Sequence, residues 1–217
     1  KDPHLFTVVK LEKNQGLGIA LAIGLEHTKN RLVARMDTDD IMEPQRLEKQ
    51  LEIFQKDPEI AIVGSNVEEF TGTLSNVIGK RIVPEYNNAI RVFSKRRNPF
   101  NHMTVMFDKK AILEVGNYQP LSGFEDYYLW ARLLKAGYKG YNIQEILVHA
   151  RAGADMYARR GGSKYLLPGI KGRYRIWKEG LGSLQDFLVV VCGHLVISLL
   201  PNKIRGKVYE SKLRKTN

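Results

Sequence analysis

The sequence predicts an α/β fold, a sheet covered by helices, followed by a basic, mainly helical carboxyl-terminal extension. Three observations carry this. Extended apolar runs alternate with segments of helical period through the first 150 residues. Three carboxylates, Asp37, Asp39 and Asp40, crowd at the end of one apolar run, immediately before a helix-start signal. Charge then shifts: residues 1–150 carry 20 Lys and Arg against 19 Asp and Glu, whereas residues 151–217 carry 14 against 4. With 217 residues and 43% hydrophobic content the chain can build one sizeable core, and wholesale disorder is excluded.

In chain order, Leu5 to Leu11 reads as a strand and Gly16 to His27 as a helix with Leu17, Ala20, Leu21, Gly24 and Leu25 on one side. Arg31 to Met36 reads as a short strand. Glu43-Pro44 opens a helix over 44–56, with Pro44 in its first turn and Leu47, Leu51 and Phe54 on one face. Ile60 to Val67 is a β-rich run, Thr71 to Lys80 is turn-rich, and Tyr86 to Lys95 is helical. Met103 to Phe107 reads as a strand, Lys109 to Val115 as a short helix stopped by Gly116, and Glu125 to Ala136 as a helix ended by Gly137. Ile143 to His149 is again extended.

The chemistry sits at the ends of these elements. Like charges that close raise one another's pKa, so a fold keeps Asp37, Asp39 and Asp40 together mainly when a cation shares their site. Their loop follows a strand and precedes a helix, where α/β sheets bind ligands and where oxygen donors suit Mg²⁺ or Mn²⁺. Helix capping by Asp39 or Asp40 explains one of the three carboxylates and leaves two. A second acidic pair, Glu125-Asp126, opens a helix; the helix dipole alone accounts for acids there, and a functional role gains weight only when both acidic sites are taken together. The single cysteine, Cys192, excludes an intrachain disulfide framework and a multi-cysteine zinc site. The start Lys-Asp-Pro-His shows no signal-peptide run, so a cytoplasmic location is expected. A basic region can meet nucleic acid, anionic membrane or diphosphates, but no nucleic-acid-binding signature is present and no nucleic-acid partner is expected.

Read together, Asn14-Gln15-Gly16-Leu17-Gly18, Ala34-Arg35-Met36-Asp37-Thr38-Asp39-Asp40-Ile41 with Pro44 and Arg46-Leu47-Glu48-Lys49-Gln50, and Glu125-Asp126-Tyr127-Tyr128-Leu129-Trp130 resemble the family 2 glycosyltransferases. Asn98-Pro99-Phe100-Asn101-His102-Met103-Thr104-Val105-Met106-Phe107 and Arg159-Arg160-Gly161-Gly162 are similar to the branch that builds bacterial capsule and exopolysaccharide repeats, as in amylovoran biosynthesis. The resemblance implies a GT-A-like, Rossmann-like mixed sheet flanked by helices, with residues 1–155 as catalytic domain and 156–217 as extension. It implies inverting transfer of a sugar from a nucleotide-diphosphate sugar donor to an acceptor hydroxyl, with a lipid-linked glycan as acceptor. Asp37 and Asp39 match the Asp-x-Asp motif that positions the donor and holds Mn²⁺ or Mg²⁺, and Asp126 matches the catalytic base. Glu125 and His102 become candidate substrate-binding residues. Arg159 and Arg160 become candidates for the diphosphate, against the equal alternative of a solvated basic loop. His149 is a candidate further metal ligand, although a satisfied structural histidine is favoured. Members of the family usually begin with a strand, helix and strand that form much of the nucleotide base pocket, and this sequence starts near what corresponds to the third strand. A remnant that binds a membrane or partner through its basic half is therefore the alternative to an enzyme. A sugar nucleotidyltransferase would need more than Gly16-Leu17-Gly18.

The extension carries its own expectation. Ser183-Leu184-Gln185-Asp186 resembles a capping box. The apolar stretch Phe187 to Leu200 that follows falls short of the ~20 residues a spanning helix needs. Basic residues 203–215 follow, so the segment is expected to lie on an anionic membrane surface at the cytoplasmic face without crossing it; a core helix with a solvated tail is the alternative.

Overall fold

A computed structural model describes residues 5–152 and 163–199. Helix α1 (Leu17–Glu26) leads into strand β1 (Leu32–Ala34), the carboxylate loop, the two-residue strand β2 (Ile41–Met42) and helix α2 (Arg46–Lys56). Strands β3 (Ile60–Phe70) and β4 (Val77–Arg81) form a hairpin, followed by helix α3 (Asn87–Ser94). A 3₁₀ turn at His102–Thr104 enters β5 (Met106–Asp108), after which come α4 (Lys109–Glu114), α5 (Glu125–Lys135), β6 (Lys139–Arg151), α6 (Ser163–Lys178) and α7 (Leu184–Leu199).

The sheet is mixed, in the order β1-β5-β3-β6-β2, with β4 paired to β3. Among the described residues only β3 and β6 run parallel; the other ladders are antiparallel. Strand β3 holds the centre because every side chain from Ile60 to Val67 is buried, as expected of a strand covered on both faces. Strand β1 lies at one edge and β2, paired to His149 and Val148, at the other. The loop between them therefore carries Asp37, Asp39 and Asp40 across the sheet.

Helix α5 is buried on all sides from Tyr127 to Leu134, the mark of a helix between two layers. Trp130, Leu133 and Leu134 pack with Ile62, Phe100, Phe107 and Ile112 against the sheet. Its other side meets Ile176 of α6 through Tyr127, Tyr128 and Ala131. Gly172 of α6 lies so close to Phe124, the residue that caps α5, that a Cβ there would stand 2.5 Å from the ring. The extension thus buttresses the start of α5. The capping box forms: Asp186 N–H donates to Ser183 Oγ at 3.2 Å and Ser183 N–H to Asp186 Oδ2 at 2.9 Å, while Arg96 Nε adds a bond at 2.6 Å to Asp186 Oδ1.

Several expectations are corrected. Leu5 to Leu11 is not a strand: Leu5, Phe6 and Val8 are 77%, 65% and 90% exposed, because a β run without a neighbouring strand has nothing to pair with. The inward face of α2 is Arg46, Gln50 and Phe54, whereas Leu47 and Leu51 are 38% and 40% exposed. Polar side chains take the inner positions because they donate to backbone carbonyls there, those of Arg35 and Val105 from Arg46 and those of Val63 and Thr104 from Gln50. Pro44 lies in the turn ahead of α2. Val77–Arg81, within the turn-rich stretch, is a strand, and the segment at Met103 begins as a 3₁₀ turn before it becomes β5. Strand β6 starts earlier and ends later than Ile143 to His149.

Candidate active site

The carboxylate loop is organised by arginines. Arg35, at the end of β1, grips Asp37 with both guanidinium nitrogens, at 2.6 and 2.5 Å, in the fork geometry that suits a carboxylate. Arg151, the last residue of β6, donates its backbone N–H to Asp40 Oδ1 at 2.9 Å and its Nε to the Asp39 carbonyl at 3.3 Å. Its guanidinium lies over the Phe70 ring, 4.7 Å from the centroid. The second oxygen of Asp40, Oδ2, is buried without a hydrogen-bond partner. Burial raises the Asp40 pKa, and the neighbouring Asp37 and Asp39 add to the rise. Asp39 itself is exposed.

The opposite wall comes from the chain between α3 and α5. Asn98 Nδ2 donates to Asp126 Oδ2 at 2.6 Å, and the Asn98 carbonyl accepts from Arg81 at 2.9 Å. Asn101 Nδ2 donates to the Ser65 carbonyl at 2.8 Å, and Thr104 Oγ1 to the Asn101 carbonyl at 2.8 Å, so the turn that bears His102 is fastened to β3. His102 Nε2 lies 2.9 Å from the Tyr118 hydroxyl, and its ring meets Trp130 edge-on. Tyr118 is presented by a tight reversal after α4, in which Gly116 adopts φ 86°. Asp126 occupies the first turn of α5.

Glu125 turns the other way. Gly18 of α1 approaches so closely that a Cβ on it would stand 3.0 Å from Glu125 Cγ. Burial raises the Glu125 pKa, opposed by hydrogen bonds from its own N–H and those of Gly123 and Phe124. This is the capping behaviour expected of an acid in a first helical turn.

The two walls meet electrostatically at His102. Burial lowers its pKa to about 4; the Asp126 carboxylate opposes that, the Arg35 guanidinium reinforces it and Asp37 opposes it. Asp126 and Asp37, 89 positions apart in sequence, thus act on one imidazole. The sign of the consequence is fixed. The unfolded chain takes up this proton near 6.5 and the folded chain only at about 4, so His102 makes the fold less stable as pH falls through that window and has no such effect above it. His102→Gln is expected to lose less stability than the parent between the two sides of the window. Urea unfolding measures this; equal losses in both proteins would refute it.

The donors suit a hard cation. Carboxylate oxygens of Asp37 and Asp39 on a strand-end loop, beside the orphaned buried Oδ2 of Asp40, match the one or two carboxylates by which Mg²⁺ is held when phosphates complete its shell. Among the described residues no three His, Cys, Asp or Glu side chains converge as a protein-only metal cage. His149 Nε2 is 2.7 Å from Glu43 Oε1 and its Nδ1 is 3.4 Å from Glu68 Oε1, an arrangement that accounts for it as a structural histidine joining β2 to β3. Arg159 and Arg160 lie outside the described residues.

Sequence reasoning missed the residues that hold this site together. Arg35 and Arg46 stand inside the quoted motif, yet hydrophobic periodicity gives them no role. Asn98 opens a quoted motif that assigns it no role, and Tyr118 carries no signal beyond a glycine turn beside it. Arg151 reads as the first of the basic residues beyond position 150, not as an anchor of the acidic loop.

Comparison with known proteins identifies the family and the fold. The pattern of the family described as Glycosyl transferase family 2 matches residues 1–118. The chain is 38% identical over 205 residues to the UDP-Gal:alpha-D-GlcNAc-diphosphoundecaprenol beta-1,3-galactosyltransferase of Escherichia coli, covering 94% of this chain and 74% of that protein. It is 38% identical over 207 residues to the amylovoran biosynthesis glycosyltransferase AmsE of Erwinia amylovora, covering 94% and 76%. The fold is shared with S. aureus TarS 1-349 in complex with UDP-GlcNAc, at TM-score 0.62 and 13% identity over 96% of this chain and 60% of that one. It is also shared with the mannosyltransferase PcManGT of Pyrobaculum calidifontis in complex with GDP-Man and Mn²⁺, at TM-score 0.52 and 14% identity over 94% and 69%. The family match over residues 1–118 and relatives 38% identical along nearly the whole chain show that it belongs to glycosyltransferase family 2, and its mixed sheet and covering helices have the GT-A fold.

Proposed function

We propose that the protein transfers a sugar, with inversion, from a nucleotide-diphosphate sugar to a hydroxyl of a lipid-linked glycan during synthesis of a bacterial surface polysaccharide. The arrangement that supports this reading is the strand-end loop of Asp37, Asp39 and Asp40, tied down by Arg35 and Arg151, on the sheet against which helix α5 packs, with Asp126 in the first turn of that helix and held by Asn98. Relatives that act on a diphosphoundecaprenol-linked sugar or serve amylovoran biosynthesis support the acceptor class.

Asp37 and Asp39 orient the donor and would hold Mn²⁺ or Mg²⁺ against its diphosphate; the cation, when bound, stabilises the charge that develops on the leaving group. Arg159 and Arg160, outside the described residues, are the basic pair that the family resemblance offers for the same phosphates. Asn98 occupies Asp126 Oδ2 and leaves Oδ1 to the acceptor hydroxyl. The proton of that hydroxyl passes to Asp126 as its oxygen bonds to the anomeric carbon. The bond from that carbon to the diphosphate oxygen breaks, its electron pair leaving with the nucleoside diphosphate. Attack opposite the leaving group inverts the centre. His102, neutral at physiological pH, faces the acceptor beside the base, and Glu125, whose stem lies against Gly18, serves by fixing the start of α5 that bears Asp126. His149, paired with Ile41 across the β2–β6 ladder and flanked by Glu43 and Glu68, serves as a structural histidine rather than a metal ligand.

Incubation with Mn²⁺, radiolabelled UDP-galactose, UDP-GlcNAc or GDP-mannose, and a GlcNAc-diphospholipid acceptor tests the reading. A labelled lipid product with a β linkage from an α donor is expected. Transfer from none of the three donors, or a retained α linkage, overturns it.

A lipid-linked acceptor requires the enzyme to work at a membrane. No helix among the described residues is long and apolar enough to cross one. Leu184, Leu188, Val189 and Val196 of α7 are exposed, as are Lys171, Arg175 and Lys178 of α6, and residues 203–215, outside the described residues, add further basic groups. Each such group contributes roughly 1 kcal/mol near an anionic leaflet. The chain is expected to float with anionic vesicles and to be released by high salt or by deletion of residues 183–217. Equal, salt-insensitive binding to neutral vesicles would sink the electrostatic account.

A further inference from the structure

The first residue of α2 is an arginine in the core. Arg46 is 1% exposed, and Gln50, one turn later, is 0% exposed. No carboxylate pairs with Arg46 among the described residues. Its guanidinium instead spends its donors on the ends of strands: Nη2 donates to the Arg35 carbonyl at 2.7 Å and to the Val105 carbonyl at 3.3 Å, and Nε donates to Gln50 Oε1 at 3.2 Å. Gln50 Nε2 in turn donates to the carbonyls of Val63 at 2.9 Å and Thr104 at 2.8 Å. The Arg35 N–H donates to the same Val105 carbonyl at 2.9 Å, closing the network.

Burial and the nearby charge of Arg35 lower the Arg46 pKa to about 10, so it remains charged at physiological pH. An unpaired buried cation is costly, and apolar residues of like volume commonly replace buried charges without loss of stability. Packing alone therefore does not account for an arginine here. What the side chain does provide is position. The Arg35 carbonyl belongs to the residue whose guanidinium grips Asp37. The Thr104 carbonyl ends the turn that carries His102.

We propose that Arg46 and Gln50 are positioning residues, a buried polar clamp that fixes the Asp37 loop relative to the His102 turn and so sets the width of the donor cleft. This rests on the reading of that cleft as the nucleotide-sugar site. The clamp touches no substrate. It acts through the backbone of Arg35 on one wall and of Thr104 on the other.

The test pairs stability with ligand affinity. Arg46→Met combined with Gln50→Met removes the clamp while keeping volume, and Phe54→Leu, on the same buried face of α2, serves as the control that perturbs packing alone. Urea unfolding reports stability, and calorimetry reports binding of UDP and GDP in the presence of Mn²⁺. The double variant is expected to remain folded and to bind nucleotide about 10-fold more weakly, the loss typical when an outer partner of a metal ligand is removed. Phe54→Leu is expected to lose stability and keep its affinity. Arg46→Lys keeps the charge and one donor but not the fork, and is expected to weaken binding about threefold with little change in stability. Parent-like affinity in the folded double variant, or in Arg46→Lys should the double variant not fold, overturns the clamp while leaving the cleft assignment intact. An affinity loss in Phe54→Leu as large as that in the double variant overturns it too. Absence of nucleotide binding by the parent overturns the cleft assignment and the clamp with it.

Discussion

Asp126→Asn is expected to lower turnover by ~10²-fold or more while donor binding persists. Asparagine keeps the shape of the side chain and its contact with Asn98 Nδ2, since its own amide oxygen can accept that bond in place of Oδ2. What it removes is the capacity to take a proton. The start of α5 is well supported, by Phe124 against Gly172 and by the wholly buried turn Tyr127 to Trp130, so the substitution leaves the fold in place. Turnover measured under saturating donor, together with nucleotide affinity by calorimetry, separates the two effects. Near-normal turnover in Asp126→Asn would move the base to another group. Glu125 is poorly placed for that role, because its carboxylate caps backbone N–H groups and its stem packs on Gly18.

The elements legible in the sequence were those whose own residues dictate them. Strand β3 is a run of β-branched and small apolar residues, and it forms over the full range expected and beyond it. Helix α5 has helical apolar spacing and a glycine stop, and its bounds differ from the expected ones by a single residue. The acidic loop was legible because three carboxylates in four positions have no apolar explanation. What escaped depends on partners far along the chain. Strand β2 is two residues long and exists only because Ile41 and Met42 meet His149 and Val148. Leu5 to Leu11 has the composition of a strand and no ladder to join. Leu47 and Leu51 have helical spacing, but Arg46 and Gln50 take the inner face, where their side chains donate to the carbonyls of Arg35, Val63 and Thr104. Periodicity counts apolar residues and is blind to a core that asks for donors. The pairing of Arg35 with Asp37 escaped for a similar reason: two residues apart, they share a face only because the chain continues extended past β1.

Asp39→Ala is expected to weaken binding of Mn²⁺ with UDP or GDP by at least ~10-fold and to leave the unfolding midpoint unchanged. The asymmetry with its neighbour is what makes the substitution informative. Asp39 is exposed and contributes only its backbone carbonyl to the packing, through Arg151, so removing its carboxylate disturbs little else. Asp37→Ala, by contrast, strands Arg35, whose side chain is only 9% exposed and loses both of its bonds to carboxylate. It is expected to lose stability as well as ligand, since a partly buried cation left without its partner carries the cost of its own desolvation. The affinities of both variants should be read across pH, because a carboxylate binds a cation only when ionised, so parent affinity falls as the loop protonates. Burial raises the pKa of Asp40, the neighbour of Asp39 in this loop. An Asp39→Ala protein that bound Mn²⁺ and nucleotide as well as the parent would remove Asp39 from the metal site, and a loss of affinity confined to Asp37→Ala would reassign the loop to a role in holding Arg35 for the phosphates.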